Sequence, residues 1–263
     1  MLGKLLKYDL KYMLKNMSVF YILAIFFAIT TRILLTIEQS FMIGIIERIS
    51  AGCLYAMIAN IVINVMMRSW LRFRDSIYKD ESYLTHTLPV SKKDIYNSKI
   101  IQTFIFFILS FVLAIACIFI AYYTKDWWEW VKHLVKSITT GLDFNAVLFV
   151  SGFIVVTFLE IFNAIQCGFL GIILGYRRNN TKLGFSVLFG FIAYLLTQSM
   201  VLFSVYVVGL FDSSVMDLFN NQVILNTSGL KILFIAAIIL YLIIIYIMSI
   251  LCKVILKKGV NVE

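Results

Sequence analysis

Residues 68–99 read RSWLRFRDSIYKDESYLTHTLPVSKKDIYNSK, a polar and strongly basic stretch set between two apolar runs. Ile49 to Met67 precedes it and Ile100 to Tyr123 follows, each long enough to cross a hydrocarbon layer of roughly 30 Å as a helix of about 20 residues. Further apolar runs extend over Ser18 to Leu35, Val147 to Tyr176, Leu183 to Leu210 and Leu230 to Leu256, so six membrane-crossing helices are expected. Composition agrees: the 263 residues are 62% hydrophobic and 14% charged, more apolar surface than a soluble core of this size hides. The expected fold class is all-α, a polytopic membrane protein whose residues 1–263 form a single transmembrane domain.

Positive charge orients the spans. Lys4, Lys7, Lys11 and Lys15 precede the first; Arg68, Arg72, Arg74, Lys79, Lys92, Lys93 and Lys99 fill the second gap; Arg177, Arg178 and Lys182 the fourth; and Lys253, Lys257 and Lys258 follow the last. These are 17 of the 23 basic residues, all on one side if every span crosses once, and by the positive-inside rule that side is cytoplasmic. Both termini are therefore expected inside. The external gap from Phe211 to Gly229 carries Asp212 and Asp217 and no cation, in keeping with this orientation. A net charge of +9 would point to nucleic acid in a soluble protein, but here the cations flank spans, where membrane lipid headgroups explain them and no nucleic-acid partner is expected. Cys53, Cys117, Cys167 and Cys252 all lie in apolar runs and read as small buried hydrophobes, with neither disulfide nor metal expected. No cleaved signal is expected, since the first apolar run is long enough to stay in the bilayer.

Two segments outside the spans are amphipathic at helical spacing. Within residues 1–17, Leu2, Leu5, Leu6, Leu10 and Met13 share one face and the four lysines share the other, as in a helix lying in the membrane surface. Asp9 interrupts the apolar face and calls for a partner from another cytoplasmic element. In the external stretch 124–145, Trp127, Trp130, Val131, Leu134, Val135 and Ile138 repeat every three or four residues, a short helix at the outer headgroup level. Arg177 to Thr181 is so short a connection that the fourth and fifth spans must be antiparallel neighbours. Gly168, Gly171 and Gly175 make a small-residue seam suited to close helix contact on the fourth span.

The cytoplasmic segment 68–99 is the only internal connection large enough to carry structure of its own. Its Pro89, the chain's sole proline, ends any helix before it. Ser91-Lys92-Lys93-Asp94 has capping-box form and starts a new helix that runs into the third span. Before the proline, Asp80 to Leu88 makes a short helix offering Tyr83, Leu84 and Leu88 to the cytoplasm.

The run Asp80-Glu81-Ser82-Tyr83-Leu84-Thr85-His86-Thr87-Leu88-Pro89-Val90-Ser91, followed by Lys99, resembles the cytoplasmic signature of bacterial ABC-2-type permeases, the six-helix membrane subunits of ABC exporters. The resemblance covers the topology too: an N-terminal amphipathic connecting helix and a coupling helix between the second and third spans. It implies a subunit of the bacterial cell membrane that pairs with a second permease, as homodimer or heterodimer, and receives a push from a separate ABC ATPase through Asp80, Glu81, Tyr83, Leu84, His86, Leu88 and Pro89. Permeases of this size resemble exporters of amphipathic and antimicrobial peptides, phenol-soluble modulins among them, which makes such a peptide the expected substrate. Lipids or small hydrophobic drugs are the alternative cargo.

No G-x-x-x-x-G-K-[ST] phosphate loop occurs, so no cofactor is expected on this chain, and ATP and Mg belong to the partner. The chain is not expected to be an enzyme: His86 and His133 fall on opposite sides of the membrane, and no second carboxylate accompanies Glu160 in its span. A regulatory membrane protein is a further alternative, which leaves the Asp80 to Ser91 element without a task. Polar residues inside spans mark either a path or a tie between helices. Asn60 and Asn64 on the second span, Glu160 and Asn163 on the fourth, and Gln198 on the fifth are the candidates, and both readings stay open.

Overall fold

The computed structural model describes residues 2–37, 40–79, 81–87, 89–140, 146–178, 181–212, 215 and 227–258, and among them all regular structure is helical. The helices are α1 (Leu2–Thr36), α2 (Phe41–Tyr78), α3 (Ser82–Thr87), α4 (Lys92–Tyr122), α5 (Lys125–Thr140), α6 (Ala146–Gly175), α7 (Lys182–Phe211) and α8 (Thr227–Lys257). Six of them, α1, α2, α4, α6, α7 and α8, are long and apolar enough to cross a membrane, as expected of a multi-pass membrane protein. The exterior is unlike that of a soluble fold. Ile22, Phe26, Leu202 and Phe203 point outward, while Thr31, Ser98, Thr103 and Ser110 are fully enclosed. Such an apolar exterior needs lipid around it.

The chain divides into two compact units, residues 1–128 and 129–263. In the first, α1 packs against both α2 and α4. Its buried stripe is Asp9, Met13, Met17, Tyr21, Ala24, Ala28 and Thr31, a spacing of three and four residues that keeps one face on its neighbours. Polar ties fix the register. Asp9 bonds Arg72 and Thr31 bonds Ser50, so α2 runs antiparallel to α1. Asp9 also bonds Ser98, and Tyr21 bonds Ser110 at 2.7 Å, so α4 runs parallel to it. From Asp9 to Thr31 is 22 residues, about 33 Å of helix, so the ties to Arg72 and Ser50 stand about one hydrocarbon thickness apart.

Two helices are longer than the sequence reading gave them. The N-terminal amphipathic segment and the first span form one unbroken helix, because the apolar face of the former runs straight into the buried stripe of the latter. The second span likewise extends from Ile49 back to Phe41 and from Met67 on to Tyr78. Glu47 and Arg48 mark a polarity boundary and nothing there breaks a helix, so backbone hydrogen bonding continues through them. The start of α4 is as anticipated: the Ser91 hydroxyl accepts from the Asp94 amide at 3.1 Å and donates to the Asp94 carboxylate at 2.8 Å. At the far end Thr124 caps the first turn of α5, accepting from the Trp127 amide at 3.0 Å, and the Trp127 and Trp128 rings pack on Phe119.

In the second unit α6 packs against both α7 and α8. Asn163 meets Thr197 and Gly171 meets Gly190, so α6 and α7 are antiparallel, as the short connection between them required. Phe149 meets Phe234 and Gln166 meets Ser249, so α6 and α8 are parallel. The glycine seam lies where α6 and α7 come closest. A side chain at Gly171 would overlap the backbone of Ser186 and Gly190, and one at Gly175 would overlap Ser186. Beyond the seam Arg177 donates to the Ile255 carbonyl at 2.8 Å, satisfying an acceptor that the last turn of α8 leaves open.

Candidate functional site

The polar centre of the first unit is built around Asp9, whose side chain is only 3% exposed. Its Oδ1 accepts from Arg72 Nε at 3.0 Å and from Lys99 Nζ at 2.5 Å, and its Oδ2 accepts from Ser98 Oγ at 2.7 Å. One carboxylate thus ties α1 to α2 and α4. Burying a charge is costly unless it is paired and its remaining lone pairs are hydrogen-bonded, and Asp9 meets both conditions. This is the partner that the interrupted apolar face called for.

Arg72 extends the cluster toward the segment that joins α2 to α4. Its Nη1 donates to both carboxylate oxygens of Glu81 at 2.6 Å, and its guanidinium lies over the Tyr12 ring, 4.5 Å from the centroid. Glu81 immediately precedes α3 and its side chain is 45% exposed. The four charged groups Asp9, Glu81, Arg72 and Lys99 balance. Beneath them Phe73 and Tyr96 meet edge to face with centroids 6.2 Å apart, so the α2 and α4 legs on either side of α3 are packed as well as ionically tied.

α3 is a helix of six residues ending at Thr87, before Pro89. Tyr83 is 68% exposed and Pro89 is exposed. Asp80 and Leu88 lie outside the described residues, as do the side chains of Leu84 and His86. Of the expected coupling residues, those whose side chains are described comprise a bound carboxylate, Glu81, an outward aromatic, Tyr83, and exposed Pro89. The cluster behind them was not legible as such. Arg72 read as one of many span-flanking cations and Lys99 as one that also closes the permease-like signature, and only the misplaced Asp9 signalled a buried pairing.

Among the polar residues inside spans, Asn60 and Asn64 pair with one another along α2, Asn64 Nδ2 donating to the Asn60 side-chain oxygen and, at 2.9 Å, to its carbonyl. In the second unit Glu160, Asn163 and Gln198 come together. Tyr194 donates to Glu160 at 3.4 Å and Asn163 donates to Thr197 at 3.0 Å. Gln198 stands beside Tyr194 and Tyr241, and Gln166, one turn beyond Asn163, donates to Ser249 at 3.1 Å. The row Glu160, Asn163 and Gln166 thus joins α6 to α7 and α8, an arrangement of helix-to-helix ties. The Cys167 thiol lies 3.8 Å from both Asn163 Oδ1 and Thr197 Oγ1. Among the described residues no group of three or more His, Cys, Asp or Glu is placed to hold a metal ion.

Comparison of the chain with protein-family models, curated proteins and solved structures finds no match in any of the three.

Proposed function

We propose that this chain is the permease subunit of an ATP-binding-cassette exporter in a bacterial cell membrane, with both termini cytoplasmic. Its cargo is an amphipathic peptide of toxin or antimicrobial type. ATP and Mg are bound and used by a separate ATPase subunit, and a second permease, identical or not, completes the translocation path. The observation that carries this reading is the mounting of α3: a short helix with Tyr83 and Thr87 exposed, set between two membrane-crossing legs, with Glu81 at its start bound to Arg72 and Arg72 bound in turn to buried Asp9. A displacement of α3 by a docked ATPase would act on α2 directly and on α1 and α4 through that carboxylate, a rigid-body route of the kind used in alternating access. The resemblance of residues 80–91 to the coupling segment of ABC-2-type permeases, and the cation-rich cytoplasmic gaps, support the same reading.

The test is co-purification of an ABC ATPase with the chain from its native membrane, then co-expression of the two and measurement of hydrolysis and peptide export in vesicles. Replacing Leu84 by Asp is expected to leave the chain folded and inserted while abolishing export-linked hydrolysis. Undiminished export by that variant removes α3 as the coupling contact. A purified chain that carries no ATPase, even from its native membrane, contradicts the exporter reading itself.

A further inference from the structure

We infer that Arg72 is a positioning residue at the pivot of a two-part latch: Asp9, Lys99 and Ser98 form its fixed post, and Glu81 is an arm that lets go when α3 is engaged. The inference depends on the proposed function only for what opens the latch.

The two sides of Arg72 are separate in geometry. Nε points to Asp9, and Nη1 alone reaches Glu81, so loss of Glu81 leaves both the Asp9 bond and the stacking on Tyr12 in place. They differ equally in surroundings. Asp9 and Lys99 side chains are 3% and 6% exposed, whereas Glu81 is 45% exposed. With Glu81 half in water and Arg72 10% exposed, the pair is weaker than a fully buried one and is weakened by salt, and about two- to five-fold is the bias expected of its exposed side. Removing one partner of a buried pair shifts stability by roughly a hundred-fold or more. The arm is therefore the part that yields first, and it yields without unfolding the bundle. The Glu81 amide reaches the Asp75 carbonyl at 3.4 Å, a long bond, while the next amide, of Ser82, donates to the Lys79 carbonyl at 2.7 Å. Ser82, next in the chain, is fully buried while the arm is closed. Opening uncovers it.

That burial supplies the test. In the full chain reconstituted in liposomes, Ser82→Cys is treated with a charged thiol reagent that does not enter the bilayer, and the labelling rate at this position is followed by mass spectrometry. Adding Glu81→Gln is expected to accelerate labelling about two- to five-fold. Raising salt from about 0.05 M to 0.5 M is expected to accelerate the Ser82→Cys parent similarly and to leave the Glu81→Gln variant unchanged. Glu81→Asp is expected to stay close to the parent and keep its salt response. Labelling of Glu81→Gln at the parent rate, or a salt response that survives Glu81→Gln, overturns the latch. Because the measurement uses no ATPase, its outcome is independent of whether one binds: a failed latch leaves the Leu84→Asp test intact, and a missing ATPase leaves the labelling result intact.

Discussion

Replacing Asp9 by Asn keeps the size and hydrogen-bonding capacity of the side chain and removes its charge. In the native protein one carboxylate compensates Lys99, whose side chain is 6% exposed, and shares Arg72, 10% exposed, with Glu81. In the variant Lys99 is left buried with no carboxylate bonded to it: of the cluster's acids only Glu81 remains, and Arg72 engages it. Breaking a buried pair from one side costs about 3–5 kcal/mol, more than the roughly 0.6 kcal/mol of an average neutral bond between membrane helices. At about 2–4 °C per kcal/mol for a chain of this size, the melting midpoint in detergent should fall by roughly 6–20 °C. Lys99→Met alone removes one charge-assisted bond but leaves Asp9 held by Arg72 and Ser98, a loss of about 1.5–3 kcal/mol. The double variant, having no orphaned lysine, should be more stable than Asp9→Asn. The assay is tryptophan fluorescence during heating, run on the four proteins as a double-mutant cycle. A midpoint for Asp9→Asn within 2 °C of the native protein, or additivity across the cycle, would refute the reasoning that Asp9 neutralises Lys99.

Two further variants test the packing of each unit. Thr31 and Ser50 hydroxyls lie 2.9 Å apart, which brings their Cβ atoms close to disulfide range, so Thr31→Cys with Ser50→Cys should cross-link α1 to α2 on mild oxidation. A mobility shift on non-reducing gels reads the bond, and its absence at full oxidation contradicts the antiparallel register. At the seam of α6 and α7, Gly171→Leu should destabilise the chain by several kcal/mol, because its Cβ falls on the backbone of Ser186 and Gly190. Gly184→Ala, with nothing within 4 Å of the added atom, should melt at or slightly above the native midpoint.

What the amino-acid order disclosed is governed by the range of the interactions involved. The six spans are legible because hydropathy is a local property, and the turn at Ser91 because a capping box closes within four residues. The close approach at Gly171 and Gly175 was likewise visible as a seam, though its partners Ser186 and Gly190 emerge only once α6 and α7 pair. Helix ends near Phe41 and Tyr78 were missed because a change of polarity is not a break in backbone hydrogen bonding. The roles of Arg72 and Lys99 were hidden for a different reason. The positive-inside rule counts all cations alike, whereas only the register of three helices decides which two meet Asp9. Glu160 and Gln198 show the same limit: each was visible as a polar residue in an apolar run, but their meeting near Tyr194 and Tyr241 depends on tertiary packing.

The claim beneath all of this is that α3 faces the cell interior at the end of membrane-crossing legs. Tyr83 is the place to measure it, being 68% exposed and next to the latch. With Tyr83 replaced by Cys, a membrane-impermeant thiol reagent should leave this position unmodified in intact cells and label it fully in inverted vesicles. Labelling in intact cells, with inverted vesicles protected, would put α3 on the outer face and contradict the account.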